Sequence, residues 1–259
     1  MQSNVLAGFF YSFYLLSHAS TLNYMRSFTQ SHAPLIMTPL HRILEPEVMD
    51  TLEEAFEYDS MDHSQVNEVF STDFFAARIP NDGSQILDVG TGTAQIPIVI
   101  CKRNSDLKIT AIDLADSMIV LGNKNINAAG LEDSITLAKV DSKSMLYPDE
   151  SFDQVISNSI IHHIPNPVEC FKEMIRVTKK GGLLFIRDLL RPMFETELLT
   201  IVKLHAGDAT PKQKQLFTDS LHASLTLDEV REIVKPFGFD ASCVIQSSNR
   251  HWTFTGRKT

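Results

Sequence analysis

The segment Asp88-Val89-Gly90-Thr91-Gly92-Thr93-Ala94-Gln95 places two glycines in a turn immediately after a short apolar run. Lacking a Cβ, glycines let such a turn bend sharply and bring the backbone close to a ligand. Gln95 stands where a dinucleotide fingerprint needs its third glycine, which argues against a nicotinamide cofactor. A Gly-x-Gly pair alone equally fits a tight loop with no ligand, so its weight comes from the polar residues spaced along the chain after it. Asp113 lies 25 residues after Asp88 at the end of a second apolar run, where a carboxylate can accept both hydrogen bonds of a ribose diol. Asp141 ends a third run, placed for an adenine amino group, and Ser157 and Asn158 end a fourth.

These residues act together only if the four runs are neighbouring strands whose carboxyl ends point the same way. The pattern along the chain supports this, because short apolar runs alternate with longer amphipathic ones, separated by Gly and Pro. Strands are predicted over 85–89, 108–112, 135–140, 152–157 and 183–187. Helices are predicted between them over 95–102, 117–129 and 167–178, Gly130 closes the second, and 179–182 reads as a turn. Two helices over 47–58 and 64–78 precede the sheet. Three more, over 195–205, 212–223 and 227–237, come after it, the last announced by the capping box Thr226-x-x-Glu229. A hairpin of strands 241–246 and 251–255 ends the chain. The expected fold is doubly wound α/β: a mostly parallel seven-stranded sheet with an antiparallel terminal strand, and a helical insertion before the last hairpin.

Taken together, the residues from about 85 to 188 resemble the class I S-adenosylmethionine-dependent methyltransferase family. Besides the glycine turn, the resemblance rests on Asp153-Gln154-Val155-Ile156-Ser157-Asn158 followed by His162-His163-Ile164, and on Lys180-Gly181-Gly182-Leu183-Leu184-Phe185. The third glycine often seen in that family's turn is Ala94 here. The resemblance implies S-adenosylmethionine as cofactor and S-adenosylhomocysteine as product. It places Asp88 near the methionine end, lets the backbone of Gly90, Thr91 and Gly92 pass under the ligand, and gives Asp113 the ribose and Leu114 the adenine face. Asp141 and Ser142 would meet the adenine edge, with Asn158 on the same rim. It also makes the first helix pair, 47–80, a lid, 84–188 the cofactor-binding core, 194–237 the acceptor region and 240–257 the terminal hairpin.

Transfer of an already activated methyl depends chiefly on positioning, and a base is needed only when the acceptor loses a proton. His162 and His163 fall just beyond the fourth strand, where one of them could orient or deprotonate an acceptor; the alternative is a histidine that merely caps the loop before Pro165. Asp188, between Arg187 and Arg191, could bind an acceptor group or simply pair with the arginines. The polar run Tyr58 to His63 could serve the site or be a solvated turn. Arg250-His251-Trp252 could meet an anionic or aromatic acceptor, although a lone Trp is more often core.

A net charge of −9 disfavours a phosphate backbone as partner. The Asn-Pro-Pro-Tyr and Pro-Cys signatures of base-modifying methyltransferases are absent, so a small-molecule acceptor is expected. An RNA methyltransferase, a non-catalytic cofactor-binding regulator and a nicotinamide-dependent oxidoreductase stand as alternatives. Three widely spaced cysteines show no ligand spacing, and two adjacent histidines do not by themselves make a metal site, so no metal is expected. The cysteines read as reduced thiols of a cytoplasmic protein. Residues 1–36 are read as an extension outside a single domain of residues 37–259. Their apolar stretch 5–16 is too short to span a bilayer, with secretion after Ala19 as the alternative. The pattern leaves the oligomeric state open.

Overall fold

The computed structural model describes residues 38–45 and 50–259, so the expectations for residues 1–36 lie outside the described residues. Seven strands form one sheet: β1 (Gln85–Val89), β2 (Lys108–Asp113), β3 (Ile135–Lys139), β4 (Phe152–Asn158), β5 (Thr178–Leu189), β6 (Val244–Gln246) and β7 (His251–Arg257). Their order is β3-β2-β1-β4-β5-β7-β6. The first five pair in parallel, and β7 runs antiparallel to both β5 and β6. Connections from β1 step outward through β2 to β3, and β4 then returns to the other side of β1. Strand order therefore reverses between β1 and β4, and a crevice opens beyond their carboxyl ends.

The central strands are apolar on both faces because helices cover both. Ile86, Ile156, Leu183 and Phe185 point to one face, where they pack with Phe70 and Phe74 of α2 (Ser64–Ala77) and Ile100 of α3 (Gln95–Arg103). Leu87, Val89, Val155, Leu184 and Ile186 point to the other. There they meet Phe171 and Met174 of α5 (Val168–Val177) and Val230 of α8 (Leu227–Val234). This two-residue alternation is the strand period at work. Helix α1 (Leu52–Asp59) packs through Ala55 against Leu121 of α4 (Asp116–Ala129). Helices α6 (Glu195–Ala206) and α7 (Pro211–Ala223) make a smaller cluster of Leu198, Ile201 and Leu221 under Leu189. Among the described residues no helix is long and apolar enough to cross a membrane.

Several sequence expectations need correction. Residues 179–182 are not a free turn but the bulged beginning of β5, because Gly181 N donates to Lys258 O at 2.7 Å and Lys258 N to Gly182 O at 3.1 Å. The penultimate strand is shorter than 241–246: Ala241–Cys243 forms a single turn of 3₁₀-helix, begun by the Asp240 carboxylate accepting from Ser242 N. Helix α8 stops at Val234 and tightens into a 3₁₀ turn at Lys235–Phe237, which contains Pro236. Its capping box at Thr226 and Glu229 is as read, and α7 carries a second one at Thr210 and Gln213.

Among the described residues, packing is already present ahead of the helices. Leu40 N donates to Met193 O and Ile43 N to His222 O. Between them Arg42 sends its guanidinium to four carbonyls, Ala223 O at 2.6 Å, Ile164 O at 2.9 Å, Pro165 O at 3.0 Å and His162 O at 3.2 Å. This strap ties the end of α7 to the loop after β4. Arg42→Ala is expected to cost about 1–3 kcal/mol in urea denaturation, since it orphans carbonyls that are partly buried. Arg42→Lys should not restore the loss, because a point charge cannot reproduce the fork. A cost below about 0.5 kcal/mol in both variants would contradict the strap's role.

Candidate active site

The glycine turn is held from the neighbouring strand. Gly90 N and Thr91 N both donate to Ile112 O at 2.9 Å, and Gly92 N donates to Asp113 Oδ2 at 2.8 Å. Gly90 has φ +72°, and a Cβ there would meet Ile160 Cδ1 at 2.3 Å, so neither the conformation nor the space admits a side chain. Ala94 takes the left-handed conformation as well, with φ +62°, at the entry to α3. The other oxygen of Asp113 accepts from Ala115 N at 3.0 Å. Burial raises the Asp113 carboxyl above its ordinary range in spite of the amides of Ala115, Gly92 and Leu114.

The crevice has two lobes that share Tyr58, Gly90 and Asn158. The larger holds about 770 Å³, counting space open to solvent. Gly92, Asp113, Leu114, Ala115, Met118 and Ser142 form one side of it, and Ile160, His163 and Ile164 the other. Asp88 and Thr91 line the smaller lobe. Asp88 is 2% exposed, and its Oδ2 has no hydrogen-bond partner among the described residues. Burial pushes its carboxyl up to about 7, reinforced by Asp113 and partly offset by the Thr91 hydroxyl. Asn158 Oδ1 is likewise buried without a partner. A wall of glycine backbone, orphaned buried oxygens and an apolar flank fits a ligand with a cationic end, hydroxyls and a flat apolar ring.

Tyr58 belongs to this wall, so the polar run that contains it is more than a solvated turn. Its neighbour Asp59 fastens α1 down, accepting from Gln95 Nε2 at 3.1 Å and from Asn125 Nδ2 at 2.9 Å. Ser142 lines the cavity but Asp141 does not; the Asp141 carboxylate instead caps the next turn, accepting from Lys143 N at 2.9 Å. The backbone and side chain of Lys143 hold the Asp141 carboxyl below its ordinary range against the effect of burial.

The loop after β4 separates the two histidines. His162 is buried and outside the cavity wall, with Nδ1 2.5 Å from Asp188 Oδ1, while His163 faces the cavity. Asp188 does not pair with either arginine. Its carboxylate accepts from Ile161 N, His162 N and Leu189 N, and the two arginines turn elsewhere, Arg187 to Asp73 and Arg191 to Glu229. Asp188 is 1% exposed and does not line the cavity, so it lies away from the wall where it was expected to reach an acceptor. Burial would raise its carboxyl, but His162 and the amides outweigh burial and hold it low; His162 is raised in turn, because Asp188 and Glu45 outweigh its burial.

Glu45 and Arg42 escaped sequence reading, since both lie in a short aperiodic stretch far from their partners. Glu45 Oε1 is 2.9 Å from His163 Nδ1 and 3.6 Å from His162 Nε2. The two histidines hold the Glu45 carboxyl below its usual range even though burial acts the other way. At the far edge of the sheet, Trp252 is wholly buried core and Arg250 lies over the Phe217 ring; neither they nor His251 line the cavity.

Comparison with known proteins agrees with this geometry. The methyltransferase domain family matches residues 80–235. The chain is 26% identical over 187 residues to the 27-O-demethylrifamycin SV methyltransferase of Amycolatopsis mediterranei, a stretch covering 70% of this chain and 65% of that protein. It is 32% identical over 107 residues to the ubiquinone/menaquinone biosynthesis C-methyltransferase UbiE of Roseobacter denitrificans, covering 41% of this chain and 43% of that one. The matched stretches thus span from about two fifths to two thirds of these relatives' length. In fold the chain is similar to a SAM-dependent methyltransferase from Aquifex aeolicus, with a TM-score of 0.60 at 18% identity, over 81% of this chain and 99% of the other. With the glycine turn on β1, the carboxylate on β2 and the reversal of strand order between them and β4, the chain belongs to the class I S-adenosylmethionine-dependent methyltransferase family.

Proposed function

We propose that this protein transfers a methyl group from S-adenosylmethionine to a small-molecule acceptor. The observation that carries the reading is the Asp88 carboxylate, buried with an unpartnered oxygen at the point where strand order reverses. When bound, the cofactor supplies an activated methyl for in-line displacement.

The chain's own residues divide the remaining work. Asp88 neutralises the cationic methionine end, with Thr91 and Asn158 as neighbouring polar partners. Gly90 and Gly92 keep the wall bare of side chains, and Asp113, already braced by two amides, offers its remaining lone pairs to ribose hydroxyls. Leu114, with Met118, flanks the adenine, and Ser142, set by Asp141, meets its edge. His163 faces the acceptor and holds or accepts its proton, with Glu45 orienting the ring. His162 and Asp188 fix the loop from behind.

The small-molecule class is supported by the acidic balance of the chain and by the acceptors in its relatives' names, a rifamycin and the quinones. A cytoplasmic setting is supported by three cysteines that are all free.

Two measurements check the proposal. A cationic ligand pairs with the ionised form of Asp88, which keeps its proton up to about pH 7. Below that value binding must expel the proton, so calorimetric affinity for S-adenosylmethionine should weaken by up to about tenfold per pH unit as the pH falls. Asp88→Asn should bind weakly with a flatter profile, and the same profile in wild type and variant would contradict the role of Asp88. Secondly, labelled methyl from the cofactor should enter the low-mass fraction of a metabolite extract. Label confined to RNA or protein would overturn the acceptor class, and no transfer at all would overturn the activity.

A further inference from the structure

Ligating atoms of Glu45, His162 and His163 lie within 4.8 Å of one another. Neither histidine alone makes a ligand set, but Glu45, carried in by the strap, supplies a third donor of a different chemical type. Bonds of about 2.0–2.1 Å in a tetrahedral shell put neighbouring donors roughly 3.3 Å apart. The two spacings from Glu45 Oε1, 2.9 Å to His163 Nδ1 and 3.6 Å to His162 Nε2, bracket that value.

The surroundings complete the pattern. The Asp188 carboxylate lies against Nδ1 of His162 and sets the ring so that Nε2 points at Glu45. A carboxylate bound to the far nitrogen is the arrangement that orients a metal-ligating histidine and raises its basicity. His162 is 4% exposed at its side chain, Glu45 12% and His163 23%, so the cluster is mostly buried, and His163 and Ile164 line the crevice. The charge is compatible too: Glu45 and Asp188 counter a divalent ion, while Arg42 adds one positive charge nearby through its bonds to the carbonyls of His162 and Ile164. Elsewhere among the described residues no other group of three such donors comes together.

We propose that Glu45, His162 and His163 form a binding site for one divalent transition-metal ion of the zinc class, with an open coordination position toward the crevice. Two imidazoles and one carboxylate are a donor set that suits zinc, and three protein ligands with a vacant fourth position is the form of a catalytic rather than a structural site. If the crevice is the methyltransferase site, on which this role rests, an acceptor oxygen would take the open position, where the metal would polarise it so that its proton passes to solvent water, and His163 would then hold the metal rather than take the proton itself.

The site is tested without cofactor or acceptor, so that its failure is distinct from failure of the methyltransferase reading. Full-length protein treated with EDTA is titrated with ZnCl₂ by calorimetry. One equivalent should bind, with affinity reduced at least tenfold in Glu45→Gln and in His163→Ala, each shown by its thermal midpoint to be folded. Asp188→Asn, provided its thermal midpoint shows a folded protein, should weaken binding on the order of 10–100-fold as a positioning residue does. Absence of saturable binding in the wild type would overturn the proposal. Binding unchanged in both Glu45→Gln and His163→Ala would assign the zinc to other histidines and overturn it equally.

Discussion

The carboxylate of Asp113 is the interaction on which the crevice depends. It ends β2, yet one oxygen takes the N–H of Gly92 in the turn after β1 and the other takes that of Ala115 before α4. A backbone turn containing three left-handed residues, Gly90, Gly92 and Ala94, would otherwise leave its amides without partners beside an open cavity. The adjoining carbonyl of Ile112 accepts from the other two amides of the turn. The end of one strand therefore shapes the loop of the next, and a ligand finds the turn already formed. Such preorganisation lowers the ordering cost of binding.

The same device recurs across the sheet. Asp188, on β5, takes the amides of Ile161 and His162 in the loop after the neighbouring strand β4. In both places a carboxylate at the end of one strand acts as a template for the loop of its neighbour. The first template lines the cavity. The second is fully enclosed and acts through His162, which in turn sets the direction in which the histidine loop meets Glu45. This explains how an acidic chain can hold carboxylates in a buried rim: each is satisfied by backbone amides or an imidazole, except Asp88. The exception lies in the crevice, at the point where strand order reverses.

Local signals in the sequence were sufficient for what depends on local chain geometry. The apolar runs of β1 and β4, the glycine turn, the Gly130 helix stop and the Thr226 capping box are all set by neighbouring residues and could be read directly. Pairings between distant segments could not. Residues 179–182 look like a turn because two glycines adjoin two lysines, and only hydrogen bonds with Lys258 turn them into strand. Asp188 sits between two arginines in sequence, but alternation along β5 sends those side chains to Asp73 and, beyond the strand, to Glu229, leaving the aspartate to His162. Arg42 and Glu45 lie in a stretch with no period at all, and their partners are more than a hundred residues away. No motif announces a residue whose role is to bridge two loops.

The central claim is that the turn after β1, the end of β2 and the rim after β4 are walls of one cofactor cavity. Amide hydrogen exchange with and without S-adenosylhomocysteine tests it most directly, because it reports on all three walls at once. Slower exchange is predicted together at residues 89–95, 113–118 and 158–164, with little change in β6 and β7 at the far edge. Ligand binding that leaves the first two segments unprotected, or that protects only the far edge, would contradict the account.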